Sequence, residues 1–164
     1  MSPPESAVIL LVEDREDDIL LIRKAFERAN FANPPYVVRD GEQAMAYLLG
    51  DPPYSNRDEY PLPDLVLLDL KMPKLDGFDV LRWLRLQSGF GAVPVVVLTA
   101  SEDIRDVNEA YRLGANSFLV KPLDFQNSLA LVKALHKYWL RSRRPDTSRP
   151  EAAPETLTPP STPQ

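Results

Sequence analysis

The chain has 164 residues, 44% of them hydrophobic and 26% charged, which suits one globular domain and excludes wholesale disorder and a membrane-embedded chain. Its net charge of −5 argues against a nucleic-acid surface, which needs a basic face, and the lack of cysteine excludes disulfides, thiolate metal sites and cysteine nucleophiles. No segment has the roughly 18 apolar residues of a membrane span, and the opening MSPPES has no leader-like apolar run, so no membrane association and a cytoplasmic location are expected.

Five short apolar runs alternate with helical patterns along the chain. The first run, AVILLV (7–12), precedes Ile19, Ile22, Phe26 and Ala29 at helical spacing; the second, YVVR (36–39), precedes Ala44, Tyr47 and Leu48. A long connection, GDPPYSNRDEYPLP (50–63), follows, and its prolines, Asn and Asp read as a surface loop inserted before the third strand. The third run, DLVLLD (64–69), leads to Val80, Leu81 and Leu84, and the fourth, VPVVVLT (93–99), leads to Ile104, Val107, Tyr111 and Leu113. The fifth, NSFLV (116–120), leads to a last helix with the stripe Leu129, Val132, Leu135 and Trp139. Strands that are apolar throughout, each followed by a helix, imply a parallel sheet covered on both faces, a doubly wound (βα)5 α/β sandwich. Six of the 17 prolines fall after Arg144, among Thr, Ser and Glu. Such a stretch cannot bury enough surface to offset its ordering entropy, so the domain is expected over 6–141 and a disordered tail over 142–164.

In an open α/β sheet, ligands collect beyond the carboxyl ends of the strands. Immediately there stand Glu13 and Asp14, Asp69, Thr99 and Lys121. Any one of them has an ordinary explanation: an acidic pair begins many helices, Asp ends many strands, Thr favours strands and Lys favours surfaces. Their joint placement points instead to phosphoryl chemistry. Carboxylates converging at one edge need a hard divalent cation such as Mg²⁺, which accepts one or two carboxylates with water and phosphate. Asp69 then serves as carboxylate nucleophile, Thr99 as hydroxyl donor to the arriving phosphoryl and Lys121 as point charge on its oxygens.

The motifs VEDREDD (12–18), LLDLKMPKLDG (67–77), VVVLTAS (95–101) and GANSFLVKPL (114–123) resemble the response-regulator receiver family, the CheY-like domains of two-component signalling. The resemblance covers essentially the whole domain and implies the flavodoxin-like strand order 2-1-3-4-5. It implies that Asp69 accepts a phosphoryl group from a sensor histidine kinase. By the same resemblance, Asp14 is a direct Mg²⁺ ligand, Glu13 a ligand through water and the backbone carbonyl of Lys71 a further ligand. Thr99 and Phe118 become the switch pair, Lys121 the phosphate-contacting lysine, and the Lys121–Pro122 peptide bond cis. Glu13 stands where the family often has Asp, and Phe118 lacks the hydroxyl of the commoner Tyr. The 50–63 insertion, RDGEQAMAYL (39–48) and KYWL (137–140) are more narrowly similar to single-domain regulators of phytochrome-type kinases.

Other readings fit less well. A haloacid-dehalogenase-type hydrolase expects a second Asp two residues after the nucleophile, where this chain has Lys71, and no glycine-rich phosphate cradle occurs. A phosphorylation-independent scaffold of the same fold stays open as the alternative. The lone His136 is expected to have a surface or packing role. The last helix carries Leu131, Ala134, Tyr138 and Leu140 beyond its core stripe. That apolar arc is wider than the ~100° a helix needs to cover one side of a sheet. A homodimer through that helix is therefore expected.

Overall fold

The computed structural model describes residues 7–72, 74–100 and 102–140. Strands β1 (Ile9–Val12), β2 (Tyr36–Val38), β3 (Leu65–Leu68), β4 (Val95–Thr99) and β5 (Ser117–Val120) lie within the five apolar runs. Between and after them come α1 (Glu16–Arg28), α2 (Gly41–Leu49), α3 (Gly77–Arg85), α4 (Ile104–Arg112) and α5 (Phe125–Ala134), the last continuing as a π-helical turn over Leu135–Leu140. All strand pairings are parallel and the order is 2-1-3-4-5, as expected. The expected tail, 142–164, lies outside the described residues, and no helix among those described is long and apolar enough to cross a membrane.

Alternation along the buried strands divides the core into two layers. Leu10, Val12, Val66, Leu68, Val95 and Val97 face Ala44, Tyr47 and Leu48 of α2 and Val80, Leu81 and Leu84 of α3. Ile9, Leu11, Leu65, Leu67, Val96 and Leu98 face Ile19, Ile22 and Phe26 of α1, Val132 of α5 and Leu135 of the turn that continues it. Four helices begin on an Asp whose side chain accepts a backbone N–H of the first turn: Asp40, Asp76, Asp103 and Asp124. Each cap satisfies a donor that the helix cannot and ends the loop leaving the sheet's carboxyl edge.

Two elements depart from expectation. In α4 only Ala110 is buried; of the apolar stripe read for this helix, Leu113 packs on the core, whereas Ile104 and Tyr111 are 64% and 47% exposed and do not face it. The 50–63 connection, in turn, is pinned rather than loosely inserted. The Arg57 guanidinium donates to the carbonyls of Tyr47 (2.9 Å), Leu48 (2.7 Å) and Tyr60 (3.0 Å), so it serves the carbonyl end of α2. Tyr54 and Tyr60 pack on the buried Tyr47 ring, whose hydroxyl donates to the Pro61 carbonyl at 2.8 Å. Arg57→Met, which keeps an apolar stem, is expected to cost about 2–3 kcal/mol because three carbonyls lose a charged donor. Urea denaturation measures this, and a loss below about 0.5 kcal/mol, the range of ordinary surface changes, would mean that water serves those carbonyls as well.

Candidate phosphoryl-acceptor site

Strand register assembles the site. Val12 pairs with Leu68, so Glu13 and Asp69 emerge side by side at the point where the strand order reverses; the Asp69 N–H donates to Val12 O at 3.1 Å. Thr99 pairs with Val120, and the N–H of the next residue, Lys121, donates back to Thr99 O at 2.8 Å. Four strands thus deliver two carboxylates, a hydroxyl and an ammonium to one edge. Glu13, Asp69, Thr99 and Lys121 are all buried.

Lys121 lies at the centre of the charge distribution. Its Nζ is 2.9 Å from Glu13 Oε1, 3.0 Å from Asp18 Oδ2 and 3.2 Å from Asp69 Oδ2. Asp69 Oδ1 accepts the Lys71 N–H at 3.1 Å, and Glu13 Oε2 accepts the Arg15 N–H at 3.0 Å. Glu13, Asp14 and Asp69 offer oxygens within 4.8 Å of one another. Asp14 Oδ1 is buried with no hydrogen-bond partner among the described residues. An unpaired, buried carboxylate oxygen beside two other carboxylates is costly unless a cation receives it, so the donor set fits a hard divalent ion.

The titration behaviour follows from this crowding. Burial is the largest influence on Glu13; opposed by the Lys121 hydrogen bond and reinforced by the Asp69 charge, it lifts the carboxyl from 4.5 to about 7. Burial works against the Lys121 ammonium, yet its hydrogen bonds to Glu13 and Asp18 and the Asp69 charge outweigh that and hold it above its ordinary value. One ammonium cannot neutralise every carboxylate around it. Between pH 4.5 and about 7 the folded protein keeps a Glu13 proton that the unfolded chain has released. Without a cation, stability should therefore fall across that window as pH rises, by on the order of 2–3 kcal/mol. Urea unfolding in chelator at pH 5 and pH 8 tests the sign, and a divalent cation should restore more stability at pH 8; a pH-independent cation effect would contradict this account.

The expected site residues fall into two groups. Glu13, Asp14, Asp69, Thr99 and Lys121 come together at one edge; Lys71, expected there only through its backbone carbonyl, has its N–H on Asp69 Oδ1, while its Nζ lies 3.8 Å from Asp106 of α4. Phe118 is half-buried against the α2–α3 side of the core, and its N–H donates to the Tyr111 hydroxyl at 3.1 Å. The expected cis bond at Lys121–Pro122 is not found: that bond is trans, and the cis bond among the described residues joins Pro52 to Pro53. Lys121 reaches inward regardless, because its backbone is held on Thr99 and three carboxylates draw its ammonium in. His136 packs edge-on against Phe31 at 5.4 Å, as its packing role required. Asp18 went unread in the sequence, where it is only the last acid of VEDREDD; the signal was its position on α1 one turn beyond Asp14.

The sequence from 9 to 133 matches the model of the response regulator receiver domain, and the chain belongs to that family. It is 41% identical over 133 residues to the probable methanogenesis regulatory protein FilR2 of Methanothrix harundinacea, covering 81% of this chain and 83% of that one. The phosphorylated cyanobacterial phytochrome response regulator RcpA superposes with a TM-score of 0.76 at 36% identity, covering 84% of this chain and 96% of its own. The Mn²⁺-bound form of Rcp1, from Synechocystis, gives 0.72 at 34% identity over 83% and 96%. The protein is thus a phosphoryl-accepting receiver domain homologous to phytochrome response regulators, with an acidic pocket suited to a divalent cation.

Proposed function

We propose that the protein accepts a phosphoryl group on Asp69 from the phosphohistidine of a phytochrome-type sensor kinase in the cytoplasm and signals through protein contacts. The observation that carries this reading is the Glu13–Asp14–Asp69 triad beside Lys121, in which Glu13 and Asp69 are buried and the buried Asp14 Oδ1 is unpaired among the described residues. An Asp69 oxygen attacks phosphorus, the O–P bond forms as the histidine N–P bond breaks, and the imidazole leaves. Lys121 neutralises charge on the phosphoryl oxygens, and the Thr99 hydroxyl donates to one of them. Glu13, Asp14, Asp69 and the Lys71 carbonyl would hold Mg²⁺, which when bound offsets the charge of the transferring group. Phe118 then responds to Thr99, carrying the change to α4 and β5. The 6–141 unit suffices for all of this.

Incubation with a small-molecule phosphodonor tests the reading. An acid-stable, base-labile adduct should map to Asp69 by mass spectrometry and should vanish in excess chelator. An adduct elsewhere, or none, would leave the scaffold alternative.

Homodimerisation through α5 belongs to the same reading. Leu131 is only half-buried and Ala134 is exposed, so the outer face of α5 has apolar area to cover. Leu131→Glu should convert a dimer to a monomer in light scattering at micromolar concentration. A wild-type monomer in both phosphorylation states would sink the idea.

A further inference from the structure

Among the described residues, Asp18 is the one carboxylate around Lys121 that lies outside the candidate cation triad. Its Oδ2 takes the ammonium at 3.0 Å and also meets Arg15 Nε at 3.2 Å. The three carboxylates on Lys121 Nζ, Glu13, Asp18 and Asp69, match the three N–H donors of an ammonium. Two of those acceptors have a second use. Glu13 and Asp69 belong to the triad that suits a cation, and Asp69 is the nucleophile of the function proposed above. When a cation draws on them, their hold on Lys121 weakens and the new positive charge repels the ammonium. Asp18 has no part in the cation triad, and its other partner, Arg15, is a cation on the exposed side that leaves its charge available to Lys121.

We infer that Asp18 is a positioning residue, which keeps the Lys121 ammonium beside Asp69 when Glu13 and Asp69 are engaged elsewhere. The pair is not an ordinary surface ion pair. The Asp18 side chain is 15% exposed and that of Lys121 8%, so solvent screens their attraction weakly, whereas Arg15 is 65% exposed and contributes from the wet side. Nor is Asp18 needed as an acid for the amino end of α1, because Glu16 and Asp17 already stand in that first turn. Placing the anchor on α1 has a geometric merit. Asp18 reaches Lys121 from a helix packed against α5, independently of the ends of β3 and β4 that carry Asp69 and Thr99.

The inference rests on Asp69 as acceptor and is tested by a double-mutant cycle of Asp18→Asn and Lys121→Gln, read in two ways. With Mg²⁺ present, urea unfolding should show a loss of stability from Asp18→Asn in the wild-type background that disappears when residue 121 is glutamine. With Mg²⁺, the affinity for beryllofluoride, a mimic of the acyl phosphate, should fall about tenfold in Asp18→Asn, with no further fall in the Lys121→Gln background. Asp18→Glu, which restores a carboxylate, should recover part of that affinity. Equal losses in both backgrounds would assign Asp18 to helix stability and overturn the inference, as would no loss in either. A wild-type protein that binds beryllofluoride no better than Asp69→Asn would instead defeat the underlying reading of Asp69, and the inference with it.

Discussion

Asp69→Asn should abolish phosphoryl acceptance and, at the same time, make the cation-free domain more stable. The first effect is chemical. The amide has nearly the shape of the carboxylate but neither its anionic nucleophile nor its charge towards a cation, so the rate should fall by at least about 10³-fold, below ordinary detection. The second effect follows from the site's crowding. Asp69 is 3% exposed and its charge helps to push Glu13 up. Neutralising it leaves Lys121 with Glu13 and Asp18, still a sufficient counter-charge. Stability in chelator at pH 8 should rise by about 1 kcal/mol or more, and the stabilisation by added Mg²⁺ should shrink. Phosphodonor assays and urea unfolding read the two effects separately. A mutant with reduced stability in chelator would mean that Lys121 needs all three carboxylates.

Gly77→Ala is the second large expected effect, and it acts through backbone. Gly77 opens α3 with its N–H on Leu70 O at 3.0 Å. A Cβ there would stand 2.5 Å from Asp69 O and 2.7 Å from Leu70 Cα, where only backbone could yield. Separating α3 from the Asp69 segment should cost about 2–4 kcal/mol, more than the small gain from a better helix former at a helix start. It should also shift Asp69 and slow phosphorylation at least about tenfold in the protein that stays folded, because sub-ångström placement governs transfer. Gly89→Ala is the control. No atom lies within 4 Å of a Cβ at Gly89, whose φ of 86° brings only local strain, so stability should drop by about 1–2 kcal/mol with the phosphorylation rate unchanged. Equal rates in the two variants would dissociate Gly77 from the site.

The residues that met expectation and those that did not differ in how locally their roles are set. Val66, Leu68, Val95 and Val97 lie in strands apolar on both faces, which a sequence displays directly, and the acids and Lys121 stand immediately beyond such strands. Position along a strand therefore sufficed to group Glu13, Asp69, Thr99 and Lys121. Asp18 and Arg57 depend on what a neighbouring element brings within reach. A third acid in a run and an arginine in a proline-rich loop look solvated until α5 and α2 are placed against them. The stripe of α4 misled for a related reason: Ile104 and Tyr111 repeat with a helical period, but periodicity does not say whether anything covers the face. The cis bond at Lys121–Pro122 came from family resemblance alone, and the side chain's course is explained here by charge and by the Thr99 carbonyl.

The shallow seating of α4 also bears on how much energy a signal must carry. Most of the domain resists displacement because each layer buries large side chains, and opening either layer forfeits several kilocalories of transfer energy. Moving α4 exposes little that was dry, since Ala110 is its sole buried residue. The ties that remain there are polar ones, such as the Tyr111 hydroxyl on the Phe118 N–H and the Lys71–Asp106 pair, and water replaces such partners at modest net cost. Burial is thus deep around β1, β3 and β4 and shallow along α4. In the function proposed above, a perturbation worth only one or two hydrogen bonds at Thr99 would be on the scale needed to redistribute the conformations of that helix while the rest of the domain keeps its shape.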